Sequence, residues 1–396
     1  MLAAIAELTA RDADQAEDAL DAEQWASTML GMMRDAPLPP GEDAASVFVP
    51  GFVVALEDLG TRKALATLRA LAAVSAPDHA VAARAAADRL AATGLREPTW
   101  AAGLGGAQPT AAALMHEEAF DDGLSVMVEF THPNIETHTI GIYIDHNMGG
   151  LVKDVFLAGP LSEVRSQMGR TAPNQVGLAI RDLDLAEARA RAEAALYMLD
   201  HTLDPPVNED VRPMRALIEA RLRLLPDGFD LPDEYVEVTP DEREALLEDF
   251  LLSAEGQRWR DDEDAEDVAQ LAIDFGAGYN HGGPLRWSPV VVEIFMTSWL
   301  ARKVTRDPGF FERVPDVLVD WVKYAGRRQG VPSAPLREAV AAVKEYSDEL
   351  LAAVDDPEAW GPAKTFAVAA LDAGVDLTDP DQVNRFIQKY NDGLAA

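Results

Sequence analysis

Apolar residues recur along this chain with two different periods. Over the first hundred positions the spacing is helical. In "TRKALATLRALAAVSA" and "PDHAVAARAAADRLAATG" Leu, Ala and Val return every three or four residues, and the two stretches are adjacent. Pro77 suits a first helical turn and Gly94 a C-terminal cap, so a helical hairpin is expected. Near residue 123 the period falls to two. Leu124, Val126, Val128 and Phe130 alternate with small or polar residues, as do Ile140, Ile142 and Ile144. With "GLVKDVFLAG" these runs predict three strands of an antiparallel meander with one buried face, joined by "PNIE" and "HNMGG". "PLSEVRSQMGR" reads as a short helix, "QVGLAIRDLD" as a candidate fourth strand, and "LDLAEARARAEAALYMLDHTL" as a strong helix covering the sheet.

Beyond "LDPPVNED" the helical period returns. "VRPMRALIEARLRLLP" leads into an acidic tract. In "TPDEREALLEDFLLS" Thr239 is placed as N-cap, Pro240 at the first helical position and Glu242 three residues after the cap. "SPVVVEIFMTSWLARKV", with Ser288 as cap, is apolar nearly all round and reads as one central buried helix. "VPDVLVDWVKYAGRRQG" packs next, ended by Gly326 or Gly330, and "DPDQVNRFIQKYN" opens with Asp379 as cap and Gln382 reaching back. The expected fold is α+β and mostly helical. Its segments are a helical N-terminal region (1–110), a small antiparallel meander with covering helices (111–204), a helical acidic connector (205–267) and a helical C-terminal domain (268–396).

Composition narrows the chemistry. The chain has 396 residues, 48% of them apolar, enough to bury a sizeable core. Its formal net charge is −34, which weighs against phosphate-backbone binding and anionic membrane surfaces. From Pro226 to Asp267 there are 17 acids against 3 arginines, a concentration that suits a solvated surface or a basic partner. No cysteine is present, which excludes disulfides, thiolate metal sites and thiol nucleophiles. The N-terminus lacks the basic start of a secretory signal, and no apolar run approaches transmembrane length, so a cytoplasmic location without membrane partners is expected.

Two clusters carry candidate chemistry. Four of the seven histidines, His116, His132, His138 and His146, fall between residues 116 and 146. His132 and His138 flank the "PNIE" turn with the parity of the apolar positions and are expected to face each other across the hairpin. With Glu136 or Asp145 they would offer a divalent metal two imidazoles and a carboxylate. Asp145, His146 and Asn147 end a strand before Gly149 and Gly150. The motif reads either as a hairpin turn, in which Asn and Gly supply positive φ, or as a ligand or metal site in which Asp145 and His146 act as an acid–base pair. The second cluster is a local charge reversal: residues 284–330 hold eight Lys/Arg against five acids. His281, Arg286, Arg302, Lys303, Arg327 and Arg328 form a candidate anion or partner site. The internal alternative pairs these cations with the acidic tract and with Glu293, which sits inside "VVVEIFM".

The segments "PLRWSPVVVEIFMTSWLARKV", "VLVDWVKYAGRRQG", "WGPAKTF" and "AGVDLTDPD" resemble a region shared by uncharacterised actinobacterial proteins. Some of these join it to a plasmid-type open-reading-frame-three domain or to a cysteine-built SEC-C zinc tail. "IYIDHNMGGLVKDVFL" is similar to a strand-rich part of the same proteins. The resemblance implies an actinobacterial, cytoplasmic protein and no particular activity, and the zinc tail has no counterpart here. No P-loop, dinucleotide fingerprint or nucleophile motif is present. The leading expectation is a non-catalytic binding or adaptor protein without cofactor, docking a protein partner through its helical C-terminal domain and acidic surface. The alternatives are a metal-dependent hydrolase using the His/Asp-rich meander, and nucleotide or nucleic-acid contact through residues 284–330.

Overall fold

The computed structural model describes residues 15–34, 44–117, 119–133, 135–171, 178–203, 205–232, 237–376 and 379–394. The fold is α+β and mostly helical, and no described helix is long and apolar enough to cross a membrane. The chain divides into two compact units. The first comprises residues 1–118 and 123–232, the second 119–122 and 233–396.

In the first unit, helices α1 (Ala19–Arg34), α2 (Ala44–Leu59), α3 (Arg62–Val74) and α4 (Pro77–Ala92) precede the sheet. Thr61 caps α3 by accepting from the Ala64 amide at 3.1 Å, Pro77 occupies the first turn of α4, and Gly94 follows α4 with φ +93°. Strands β1 (Gln108–Glu117), β2 (Gly123–His132), β3 (Ile135–Asp145), β4 (Leu151–Ala158) and β5 (Leu178–Leu183) form one antiparallel sheet in the order β4-β3-β2-β1-β5. Helix α5 (Leu161–Thr171) joins β4 to β5, and α6 (Leu185–Asp200) and α7 (Val211–Leu222) follow. The expected meander is β2-β3-β4. The expected fourth strand pairs not with its end but with β1, which the hydrophobic pattern did not announce. The alanines of β1 carry no strand preference of their own, and pairing on both edges supplies what propensity lacks.

One face of the sheet is the main core. Val126, Val128, Phe130, Ile140, Ile142 and Val155 meet α6 through Ala188, Ala192, Ala195 and Leu196. Small side chains on α6 let it lie close to the strands. On the other face Ala113 and Met127 form a smaller cluster with Leu161 of α5. Helices α1 and α7 also pack closely. A Cβ on Gly31 would stand 2.6 Å from the Arg212 carbonyl, and the Ser27 hydroxyl donates to the Pro213 carbonyl at 2.6 Å while accepting from the Leu217 amide at 2.9 Å. Between them lies a buried ion pair, Glu23–Arg221, whose guanidinium sits 5.7 Å over the Phe130 ring.

The second unit holds α8 (Pro240–Leu252), α9 (Glu263–Tyr279), α10 (Pro289–Glu293), α11 (Leu300–Lys303), α12 (Pro308–Gln329), α13 (Ser333–Glu345), α14 (Ser347–Asp355), α15 (Pro362–Asp372) and α16 (Pro380–Leu394). Thr239 and Glu242 form the expected capping box of α8, and Ser288 caps α10 by accepting from the Val291 amide at 3.1 Å. Helix α12 ends at Gly330, φ +70°. The run expected as a single helix is α10 and α11 joined by a π-helical segment, Ile294–Trp299, in which Phe295 and Trp299 stack with centroids 5.6 Å apart. The core gathers Phe250, Phe275, Trp287, Phe295, Trp321 and Tyr324, together with Phe120 from the four-residue segment between β1 and β2.

Candidate functional site

The "DHNMGG" motif is a turn at the β3–β4 connection. Asp145 is fully enclosed. Its carboxylate accepts from the Asn147 amide at 2.8 Å and pairs with Lys153 at 2.5 Å. His146, also buried, opens a short 3-10 turn through Met148, and Gly149 and Gly150 both take φ +78° to reverse the chain. Lys153 comes within reach because β4 is irregular there: Tyr143 pairs with Asp154 and Ile144 with Val152, leaving Lys153 as the extra residue. Asp145 is thus occupied in holding the turn.

His132 and His138 do not face each other. A register irregularity puts His138 opposite Phe130, against which its ring stacks at 6.0 Å, and His132 opposite Ile135. Both are buried, as their parity predicts. The His132 Nδ1 lies 3.0 Å from the Pro133 carbonyl, and its ring sits beneath Gly103 and Gly106, where added Cβ atoms would approach Cε1 to 3.2 and 3.4 Å. Asp145 lies at the far end of β3, seven residues from His138 or about 23 Å along an extended strand. His132, His138 and Asp145 enter no group of three metal-ligating side chains among the described residues. The Glu136 side chain lies outside the described residues.

The basic segment is largely committed to acids. Arg306 pairs with Asp267 at 2.7 Å, Arg313 with Asp262 at 3.2 Å, Arg327 with Glu255 at 2.8 Å and Arg328 with Asp249 at 2.9 Å. These are the internal pairs with the acidic tract that the charge pattern offered as an alternative. The Arg327 bond holds the Glu255 carboxyl below the usual carboxylate range, outweighing partial burial. Lys303 lies 5.2 Å over the Tyr279 ring, and Arg302 is exposed. Glu293 finds a different partner from the cation expected for it. It ends α10 on the exposed side and accepts from the Tyr346 hydroxyl at 3.1 Å.

Arg286 is the exception, being buried. It donates to Asp122 Oδ1 at 2.7 Å, to Asn280 Oδ1 at 2.6 Å through Nη2, to the Phe120 carbonyl at 3.3 Å and to the His281 carbonyl. Asn280 in turn donates to the Arg286 carbonyl at 2.6 Å, and Ser288 donates to Asp122 at 2.6 Å. "NHGGPLRWS" is therefore a loop wound around one guanidinium, with Gly282 and Gly283 at φ +86° and +80°. His281 stands at its turn, and its ring comes within 4.8 Å of the Asp121 carboxylate.

The chain matches no family model, no curated protein and no solved structure.

Sequence reasoning missed one feature altogether. In the first unit a cleft of about 530 Å3 opens between α3, α4 and the loop 98–105. Arg69 on α3 is held there by Glu97 at 2.6 Å and by Asp88 at 2.6 Å, and these acids raise its pKa further above the ordinary guanidinium value. Arg84 completes the charged rim, while Ala72, Ala73, Ala101 and Leu104 line the apolar part. The available signal was the spacing of Arg84 and Asp88, one turn apart on one face of α4. Such pairs are too common on helices to point to a site.

Proposed function

We propose that the protein is a non-catalytic binding or adaptor protein that docks a basic protein partner on the acidic face of its helical second unit. The observation that carries this reading is the division of labour among the charges of that unit. Asp249, Glu255, Asp262 and Asp267 anchor arginines around α12, whereas Asp241, Glu244, Glu248, Asp261, Glu263 and Asp264 stay exposed on or beside α8 and α9. Five of these six exposed acids are thus presented on capped helices, with Asp261 just ahead of the second. A surface of that kind speeds encounter with a basic partner and discriminates against acidic ones.

The metal-dependent hydrolase alternative has against it the burial of both meander histidines and their separation from Asp145. Nucleotide contact through residues 284–330 has against it the commitment of Arg286, Arg306, Arg327 and Arg328 to carboxylates.

The test begins with capture of partners on the tagged chain and identification of the protein recovered. Affinity of the purified pair is then measured at low and elevated salt. Neutralising Asp261, Glu263 and Asp264 together (to Asn, Gln and Asn) is expected to weaken binding and flatten its salt dependence. Neutralising Asp348 and Glu349 on α14 should leave both unchanged. Equal binding by the two variants refutes the proposal.

A further inference from the structure

The cleft of the first unit has the makings of a small-molecule site. Its volume of about 530 Å3 falls inside the range of roughly 300–1,000 Å3 usual for such sites. The loop that closes one side packs closely against the residues behind it. A Cβ on Gly103 would stand 3.0 Å from that of Ala19, and one on Gly106 would stand 3.0 Å from the Pro133 ring. Gly103 and Gly106 of the glycine-rich "GLGG" stretch thus let the loop lie close over Ala19, His132 and Pro133, which back the wall it presents to the cleft.

The charges of the rim are unequally engaged. Glu97 is bound by Arg69 through both Nε and Nη2, and Asp88 is bound by Nη1 of the same guanidinium. Both carboxylates are thereby turned toward α3. Arg84 is left over: it is exposed at the rim and makes no ion pair or hydrogen bond with any described residue. A cationic ligand would have to compete with Arg69 for either acid, whereas an anion meets in Arg84 a guanidinium that no described residue engages.

We propose that this cleft binds a small organic anion, with an apolar body on the alanine- and leucine-lined floor and a carboxylate or similar anionic group at Arg84. The site lies in the first unit and does not depend on the docking surface of the second.

The test uses the full chain and 1-anilinonaphthalene-8-sulfonate, an aromatic anion whose fluorescence rises on binding, with benzoate and benzylamine as competitors. Saturable binding is expected, displaced by benzoate and not by benzylamine. Arg84→Gln changes an exposed side chain that bonds to no described residue and should weaken both anions at least about tenfold, the loss of one charge-assisted bond. Ala102→Phe, at an exposed position lining the cleft, should occlude it. Arg89→Gln, whose native partner is Glu57, should bind as the wild type does. The proposal is overturned by absence of saturable binding, by equal displacement with benzylamine, or by binding that neither Arg84→Gln nor Ala102→Phe alters.

Discussion

Removing the Arg286 guanidinium should cost the second unit much of its stability. The group is enclosed, its side chain 7% exposed, and the Asp122 carboxylate it neutralises is 17% exposed. Arg286→Met keeps the aliphatic stem but takes the guanidinium from Asp122, and removes a donor from the Phe120 and His281 carbonyls and from Asn280 Oδ1. Breaking a buried pair by removing one partner costs about 3–5 kcal/mol, because the remaining charge stays desolvated. We take about 4 kcal/mol. With a urea m-value of about 2 kcal/mol per molar, that lowers the midpoint by roughly 2 M. Tryptophan fluorescence reads the right transition, since five of the seven tryptophans lie beyond residue 250. Asp122→Asn should cost less, and Arg286→Met/Asp122→Asn should cost less than the two singles summed, with a coupling of at least about 1 kcal/mol. A midpoint shift for Arg286→Met below about 0.5 M, or strict additivity in the cycle, would refute the reasoning.

Other expectations follow from the same geometry. Burial opposes ionisation of Glu219, but Arg34 and Arg215 overcome it and hold its carboxyl below the usual range. The stability it contributes is therefore present above the ordinary carboxylate pKa of about 4.3 and is lost as pH falls through the lowered native value. Glu219→Gln should reduce stability at neutral pH and flatten its acid dependence, followed by far-ultraviolet circular dichroism melts. Gly141→Ala should destabilise the sheet by about 1–3 kcal/mol, because its Cβ would overlap the Phe156 ring. Melting Gly141→Ala in a Phe156→Ala background should show most of that penalty relieved. Thr239→Ala should cost about 1 kcal/mol through loss of the α8 cap, whereas Thr239→Ser should cost little; urea titration distinguishes them.

What the chain announces about itself is what short-range physics encodes. Thr239, Ser288, Pro77 and Gly94 mark helix ends because capping involves neighbours within four residues. The parity of Leu124 to Phe130 and of Ile140 to Ile144 predicts the buried face because side chains alternate along any strand. Failures begin where the partner is distant. Strand β1 exists through pairing with β2 and β5, not through its alanines. Which residue sits across from His132 was decided by an irregularity in the β2–β3 ladder that no local pattern records. Arg286 was singled out as a cation, yet its counter-charge Asp122 lies 164 positions away. The Arg69–Arg84 cleft was silent because its residues read, one helix at a time, as ordinary solvated faces.

The second unit takes Phe120 and Asp122 from a stretch lying upstream of the rest of it by more than a hundred residues. Its gene segment is therefore not a free-standing cassette. A fragment begun after residue 232 would be translated with a hole at the Phe120 site and a stranded positive charge at Arg286. On the ribosome the same four residues emerge long before the helices that enclose them, so this half of the protein can be completed only after most of the chain has been made. Recombination that moves the C-terminal helices alone would carry away an unfinished object.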